Sequence, residues 1–185
     1  SVGSWAAKFP GTWGNAIGVS ICANATAYEE SEATVVTSGA HAAGDTVVTV
    51  NNSSTEINVG DIVYFQEADG SQYEVVSKSS DDITIRQLDN PNGGGLKSAI
   101  ADATQVRRRW RFYDLFDAAP GTSAWATSKG VSDDEMHVVV YDTTGAISGF
   151  DNDIAGQRTT SVLETFAFVS QAASAKTAQG GTNFY

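Results

Sequence analysis

The sequence predicts an α+β protein that is mainly β, in which a β-rich domain is interrupted by a small inserted β-barrel-like module. Charged residues make up only 18% of the 185-residue chain, and Gly, Ser, Thr, Ala, Asn and Asp fill their place. This mixture favours strands and turns over long helices. Hydrophobic residues make up 41%, which supports a packed core. Apolar and polar residues also alternate in several short runs, as they do in half-buried strands.

The predicted domain boundaries follow a change of character in the middle of the chain. Residues 1–42 and 104–185 are expected to form a discontinuous core domain, and residues 43–103 the inserted module. The module contains four short strand-like runs separated by turn signals, of which Asp69-Gly70 is the strongest. Four short strands with tight turns are typical of a small barrel or curled sheet that hides its edges. After them, 96–102 is expected to form a helical turn.

The core domain is predicted to combine three strands with one short helix. The helix lies in "PGTSAWATSKG", where Thr122 or Ser123 can cap its N-terminus and Gly130 can end it. The run "HVVVYD" indicates a strand that is central or buried on both faces. The strands are expected at residues 17–24, 135–142 and 161–170.

A turn made of Pro10, Gly11, Trp13, Gly14 and Asn15 precedes the first strand. Proline fixes one backbone angle, the glycines permit tight geometry, and asparagine can hydrogen-bond its own turn. Trp13 could line a ligand pocket or pack over the strand. The rigid corner favours a structural turn in which Trp13 packs over the strand.

Charge and cysteine content narrow the classes of partner and site. The formal net charge of -11 argues against nucleic acid as the main partner. Cys22 is the single cysteine, so an internal disulfide is excluded, and its strand-like surroundings favour a buried, inert thiol. No apolar run approaches the roughly 20 residues that span a bilayer. The chain starts at Ser1 without a signal-peptide pattern and is expected to be an excerpt of a longer protein.

No pattern in the sequence predicts a catalytic, cofactor or metal site. Ser132, His137 and Asp142 could be imagined as a nucleophile, base and acid, but no nucleophile-elbow pattern accompanies them. The acidic segment 142–153 lacks the spacing of a calcium loop. The glycines of "NPNGGG" do not match a phosphate-binding loop.

Arginines alternate with other residues in "TQVRRRWRFYDLF". Basic and aromatic residues together can bind nucleic acid, but the alternation of a strand divides this patch between two faces. We expect the arginines to pair with carboxylates, either in the chain or on a neighbouring subunit. The possible subunit contacts are Arg107, Arg109 and Arg111.

Three blocks of the sequence resemble one family, in the family's order. "AAKFPGTWGNAIGVSICANATAYE" places a Pro-Gly-x-x-Gly-Asn turn before a strand. "APGTSAWATSKGVSDDEMHVVVYDTTGAISG" ends a hydrophobic strand in Asp before a glycine turn. "SVLETFAFVSQAASAKTAQGGTNFY" joins Val-Leu-Glu-x-Phe to a Ser-Ala-Lys stretch and Asn-Phe-Tyr. The chain resembles the central part of the tail sheath proteins of contractile-tailed bacteriophages (myoviruses), with residues 43–103 as a variable, outward-facing insertion.

This resemblance implies a structural, non-enzymatic protein without a cofactor. Sheath subunits form helically stacked hexameric rings around the tail tube and contract to drive the tube through the host envelope. The implied partners are other copies of the subunit, with the tail tube and baseplate contacted by parts outside this chain. Direct nucleic-acid contact and membrane insertion are not implied. The implied location is the virion, after assembly in the bacterial host cytoplasm, and the chain by itself is not expected to polymerise.

Two other function classes remain open from the residues. A carbohydrate-binding adhesin-type β module could use Trp5, Trp13 and Trp125 as platforms for sugar rings. A hydrolase could depend on His137, although no substrate suggests itself.

Overall fold

A computed structural model describes residues 11–30, 36–90, 93–149 and 161–184. These residues divide into two compact units, each with its own antiparallel sheet. The three-stranded unit contains the described residues before Glu29 and after Tyr113, and the six-stranded unit contains those from Glu29 to Tyr113. The prediction of a mainly β protein is confirmed.

Nine strands and three short α-helices follow one another along the described chain. In chain order they are β1 (Ile17–Cys22), α1 (Ala25–Tyr28), β2 (Glu29–Glu30), β3 (Val47–Thr49), α2 (Ser53–Glu56), β4 (Ile62–Tyr64), β5 (Tyr73–Ser79), β6 (Asp82–Gln87), β7 (Arg107–Arg109), α3 (Ala124–Ser128), β8 (Glu135–Asp142) and β9 (Ser161–Ser170). Two 3-10 helices cover Thr12–Ala16 and Tyr113–Leu115. In this part of the chain, no helix has the length and apolar character needed to cross a bilayer.

The sheet of the three-stranded unit has the order β1-β8-β9, so that β8 pairs on both sides. Its triple valine explains this position, because a central strand covered on both faces needs a continuous apolar run. Val138 and Val139 are buried, as is Cys22 on the neighbouring strand β1. The central position predicted for β8 and the burial predicted for Cys22 are confirmed.

The helix α3 forms where its capping residues predict it. Ser123 is the N-cap, and its Oγ accepts a hydrogen bond from the Ala126 N–H at 3.0 Å. Gly130 follows the helix with a φ of 72°, a left-handed conformation that glycine adopts without steric cost.

The sheet of the six-stranded unit has the order β2-β7-β4-β5-β6-β3. Its core is aliphatic with two aromatic rings, those of Phe65 and Tyr73. The outer strands β2 and β3 each pair with a single strand of this sheet in the described ranges. Residues 36–37 join the two ends of the sheet through isolated bridges, from Val36 to Gln105 and from Thr37 to Val50, rather than through a continuous ladder.

The six-stranded unit extends beyond residues 43–103 because strands on both sides of that range pair with it. β7 hydrogen-bonds to β4, and β2 in turn pairs with β7. The helical turn predicted for 96–102 is wrong. Ile100 instead forms an antiparallel bridge with His41, with backbone hydrogen bonds of 2.9 and 3.0 Å in both directions.

The loop after β6 passes so close to the start of the module that only glycine fits at residue 95. Leu96 N donates to the Asp45 carbonyl at 2.9 Å, and Gly44 N donates to the Leu96 carbonyl at 2.7 Å. A Cβ at Gly95 would lie 2.2 Å from the Asp45 carbonyl oxygen. Both sides of this contact are backbone, so a rotamer change cannot relieve the clash.

We expect Gly95→Ala to destabilise the six-stranded unit by about 1–3 kcal/mol, the usual cost of overpacking. Urea unfolding followed by far-ultraviolet circular dichroism measures this loss. Gly121→Ala is the control, because its Cβ would approach no closer than 3.9 Å to Glu135 Oε2. Equal stabilities of the two variants would contradict the prediction.

Candidate subunit-contact face

The residues around β7 alternate between the core and the surface. Arg108 is 7% exposed and lies on the buried side with Val106, Trp110 and Phe112. The other side chains are partly exposed, and we call them the arginine face: Arg107, Arg109, Arg111 and Tyr113. The division into two faces predicted from the sequence is confirmed, although β7 itself ends at Arg109.

Arg109 is held by partners within its own unit. Its Nε donates to Glu29 Oε1 at 2.8 Å, and Nη1 donates to the Tyr113 hydroxyl at 3.3 Å. The guanidinium carbon lies 5.4 Å from the ring centroid of Tyr64 and 4.9 Å from that of Tyr113, within cation–π distance. Arg109 therefore has a fixed position, and its charge is already paired with a carboxylate.

Arg107 differs from Arg109 in its surroundings. It lies opposite Tyr64 in the β4–β7 register. Across the described ranges, no carboxylate lies within ion-pair distance of Arg107, and its buried Nε has no hydrogen-bond partner. Arg107 is thus the member of the face whose charge a partner molecule could still pair.

Arg111 follows β7 in a turn and covers a glycine. Gly60 has a φ of 93°, and a Cβ at this residue would lie 3.0 Å from Arg111 Cδ. The guanidinium carbon of Arg111 lies 5.3 Å from the Phe112 ring centroid. The stem of Arg111 is therefore packed, so that its orientation depends on the absence of a side chain at residue 60.

Beneath the arginine face, Arg108 and Asp61 form a buried ion pair that the sequence did not reveal. Arg108 Nη1 lies 3.5 Å from Asp61 Oδ2, and the same oxygen accepts the Asn58 N–H at 2.8 Å. Burial raises the pKa of Asp61 to about 6, although Arg108 and the Asn58 N–H act in the opposite direction. The alternation around β7 could have indicated a buried arginine in need of a carboxylate, but not which carboxylate.

The predicted turn before β1 forms a helix with an exposed tryptophan. Trp13 is 65% exposed, so the interpretation that it packs over the strand is wrong. The buried residue is Ala16, whose carbonyl accepts the Thr143 N–H at 2.7 Å and the Thr143 hydroxyl at 2.9 Å. Gly11, Gly14 and Asn15 lie in or beside this 3-10 turn, whereas Pro10 is outside the described residues. These hydrogen bonds join the turn, through the Ala16 carbonyl, to the residue that follows β8.

The three residues considered for catalysis are not brought together. Ser132 Oγ donates to Asp133 Oδ2 at 2.8 Å. His137 is fully buried between backbone groups and aromatic rings. Asp142 accepts the N–H groups of four residues of its following turn: Thr144, Gly145, Ile147 and Ser148. Burial acts to raise the pKa of Asp142, but these hydrogen bonds lower it well below its usual range.

The acidic segment 142–153 was also considered for a metal, and residues 150–153 lie outside the described ranges. Among the described residues, no three His, Cys, Asp or Glu side chains are close enough to hold a metal ion.

Comparison with protein-family models, curated proteins and solved structures found no match to this chain.

Because the folded-state pKa of Asp61 is raised above its ordinary value of 3.8 to about 6, its protonated form favours folding. The stability of the six-stranded unit should rise by about 1 kcal/mol between pH 7 and pH 5 through this group. Hydrogen exchange of the β4 and β7 amides, corrected for intrinsic rates, measures the change.

Asp61→Asn should remove this gain, since the amide does not titrate, so that protection of the β4 and β7 amides should not rise between pH 7 and pH 5. A variant that keeps the full gain in protection would show that another group is responsible.

Proposed function

We propose that the chain is a structural segment of the tail sheath subunit of a contractile-tailed bacteriophage, with no enzymatic role. One observation carries this proposal: the three blocks that resemble sheath proteins meet in a single folded unit. They contain β1, α3 with β8, and β9, and these three strands form one sheet. Segments that are far apart in the chain but adjacent in the fold favour a common structural origin over chance similarity of short motifs.

The exposed apolar residues of the three-stranded unit support a role in assembly. Ile21 of β1 and Phe166 of β9 lie opposite Val138 on either side of β8, and directly paired residues share a face of the sheet. Ile21 is 40% exposed and Phe166 is 43% exposed. Exposed apolar groups clustered on one face are typical of surfaces that contact other proteins.

The six-stranded unit is proposed to be the inserted, outward-facing module of the subunit. The chain leaves the three-stranded unit after Tyr28 and returns to it at Asp114. Backbone hydrogen bonds from Thr37 N to the Thr104 carbonyl and from Asn51 N to the Val36 carbonyl, both 2.9 Å, support a barrel-like closure. Such closure would let the module fold as an insertion without disturbing its host domain.

The alternative of a carbohydrate-binding module gains support from one observation, the 65% exposure of Trp13. An exposed indole can stack on a sugar ring or enter a protein interface. Glycans that quench the fluorescence of the wild-type chain but not of Trp13→Phe would favour this alternative.

The sheath proposal is tested on virus particles from the source of the gene. Antibodies against the whole chain should detect a major protein of dissociated contractile tails, because sheath subunits are present in many copies. Antibodies against the loop 67–72, whose residues Ala68, Asp69 and Gly70 are exposed, should decorate intact tails along their length in electron micrographs.

The two antibodies separate the two claims. Absence of the chain from dissociated tails would overturn the sheath proposal. Detection in dissociated tails without labelling of intact ones would overturn only the outward-facing position of the module.

We further propose that the arginine face contacts a neighbouring subunit, mainly through Arg107. Arg107→Glu should reduce the fraction of sheathed tails about tenfold or more, because reversing one charge of an interface pair costs about 2 kcal/mol or more. Electron microscopy of tails from particles that carry the variant gene measures this fraction.

Lys129→Glu is the matched control, since it changes the net charge equally at an exposed residue after α3. Equal fractions of sheathed tails for the two variants would show that the arginine face is only a solvated surface.

A further inference from the structure

His137 is a fully buried histidine at the centre of the three-stranded unit. Its ring stacks on Phe116, with centroids 4.1 Å apart and planes at 4°. The ring of Phe168 meets it edge-on at 4.6 Å, and that of Tyr28 at 6.0 Å. The imidazole is therefore enclosed by aromatic side chains, which offer no solvent-like partner for a second proton.

Two backbone groups determine the protonation state of the ring. His137 Nε2 lies 2.8 Å from the Ala118 carbonyl oxygen, which can only accept, so Nε2 carries the hydrogen. The Phe168 N–H donates to Nδ1 at 3.1 Å, so Nδ1 has no hydrogen. The hydrogen-bond pattern thus requires a neutral imidazole in one tautomer.

The bond to Nδ1 lies at an irregularity of the β8–β9 ladder. Met136 pairs with Val169 and Val138 pairs with Phe166, which leaves Ala167 and Phe168 opposite His137. Phe168 has a φ of 53°, in the left-handed region that a bulky residue rarely adopts. The ring of His137 thus supplies the hydrogen-bond acceptor for a strained residue at a β-bulge.

We propose that His137 is a proton-operated clasp on the end of β9. While the ring is neutral, Nδ1 holds the bulge closed. When Nδ1 takes up a proton it becomes a donor that faces the Phe168 N–H, the bond is lost, and residues 168–170 separate from β8.

The contacts of the residues that follow the bulge indicate which part of the unit would open when residues 168–170 separate from β8. Ser170 N donates to the Asn183 carbonyl at 2.7 Å, and Asn183 Nδ2 donates to the Phe168 carbonyl at 3.3 Å. The Ser170 hydroxyl donates to Asp134, which also caps the loop before α3 through Ser123. Opening at Phe168 would loosen these contacts before it affects the opposite end of β9.

Burial is the largest influence on the protonation of the ring. It lowers the pKa of His137 below its ordinary value of 6.5, and it outweighs the Ala118 carbonyl and the charge of Glu135, which both act in the other direction. The titratable groups on the elements that pack against the ring, together with those of its own strand, are Cys22, Tyr28, Asp114, Asp117, Glu135, Tyr141, Asp142 and Glu164.

The lowered pKa of His137 determines the direction in which pH changes the opening of the clasp. The clasp is fully closed above pH 6.5, and closure is lost as the pH falls through the folded-state pKa, because the open form binds the proton first. The equilibrium constant for opening should rise by up to about tenfold per pH unit in that window.

Amide hydrogen exchange of the full chain, measured by NMR at pH 7.5 and pH 5 and corrected for intrinsic rates, tests the proposal. Protection of residues 168–170 should fall about tenfold or more at pH 5, whereas protection in β4 should not fall, since Asp61 responds in the opposite direction. Unchanged protection at residues 168–170 would overturn the clasp.

Two variants assign the effect to His137. In His137→Asn the amide oxygen can take the place of Nδ1 as acceptor and does not titrate, so the pH dependence at residues 168–170 should disappear. His41→Asn removes the other histidine and should leave that dependence intact. Full pH dependence in His137→Asn, or its loss in His41→Asn, would overturn the proposal.

A variant that fails to fold still leaves a decisive measurement. The ¹⁵N shifts of the wild-type His137 ring report its protonation directly. A ring that gains its proton without any change in the Phe168 amide would also overturn the clasp.

Discussion

The three-stranded unit depends on the polar groups that β8 and its flanking residues bury. Buried donors and acceptors must find partners, since each unsatisfied group costs about 1–3 kcal/mol. Asp134 accepts two hydrogen bonds from Ser123 and one from Ser170, and so joins the N-terminus of α3 to the end of β9. His137 accepts a hydrogen bond from the Phe168 N–H at the bulge. Asp142 accepts hydrogen bonds from N–H groups of the turn that follows the strand. One strand thereby organises a helix, a bulge and a turn.

In the six-stranded unit, too, buried polar groups are paired with one another. The Glu67 carboxylate accepts from the Tyr73 hydroxyl and from both the N–H and the hydroxyl of Ser98, and the Tyr73 hydroxyl in turn accepts the Lys97 N–H. Desolvation and the bond to Glu67 raise the pKa of Tyr73 well above its ordinary value. This network ties β5 to the segment that leads into β7, where short strands alone would bury little area.

The sequence predicted elements best where pattern and capping agree. The bounds of β8 and β9 match the prediction, and Ser123 and Gly130 mark α3, because these features depend on neighbouring residues. Trp13 was wrongly predicted to be packed, because the residue of this turn that is buried is Ala16, whose carbonyl accepts a hydrogen bond from Thr143, 127 positions away. The environment of His137 likewise depends on Phe116, Ala118 and Phe168, whose convergence no local pattern encodes. The arginine face was predictable from alternation, but the pairing of Arg108 with Asp61 was not.

The acidic character of the chain bears on how copies of it could associate. A net charge of -11 makes close approach of identical copies unfavourable unless apolar area or paired charge offsets the repulsion. The three-stranded unit offers apolar area around Ile21 and Phe166, and the arginine face offers positive charge at Arg107. Both features are therefore compatible with the subunit contacts proposed above. An assembly that joins through such surfaces would be sensitive to salt at Arg107 and insensitive to it at the apolar sheet face, because ionic screening acts on charge and not on apolar burial.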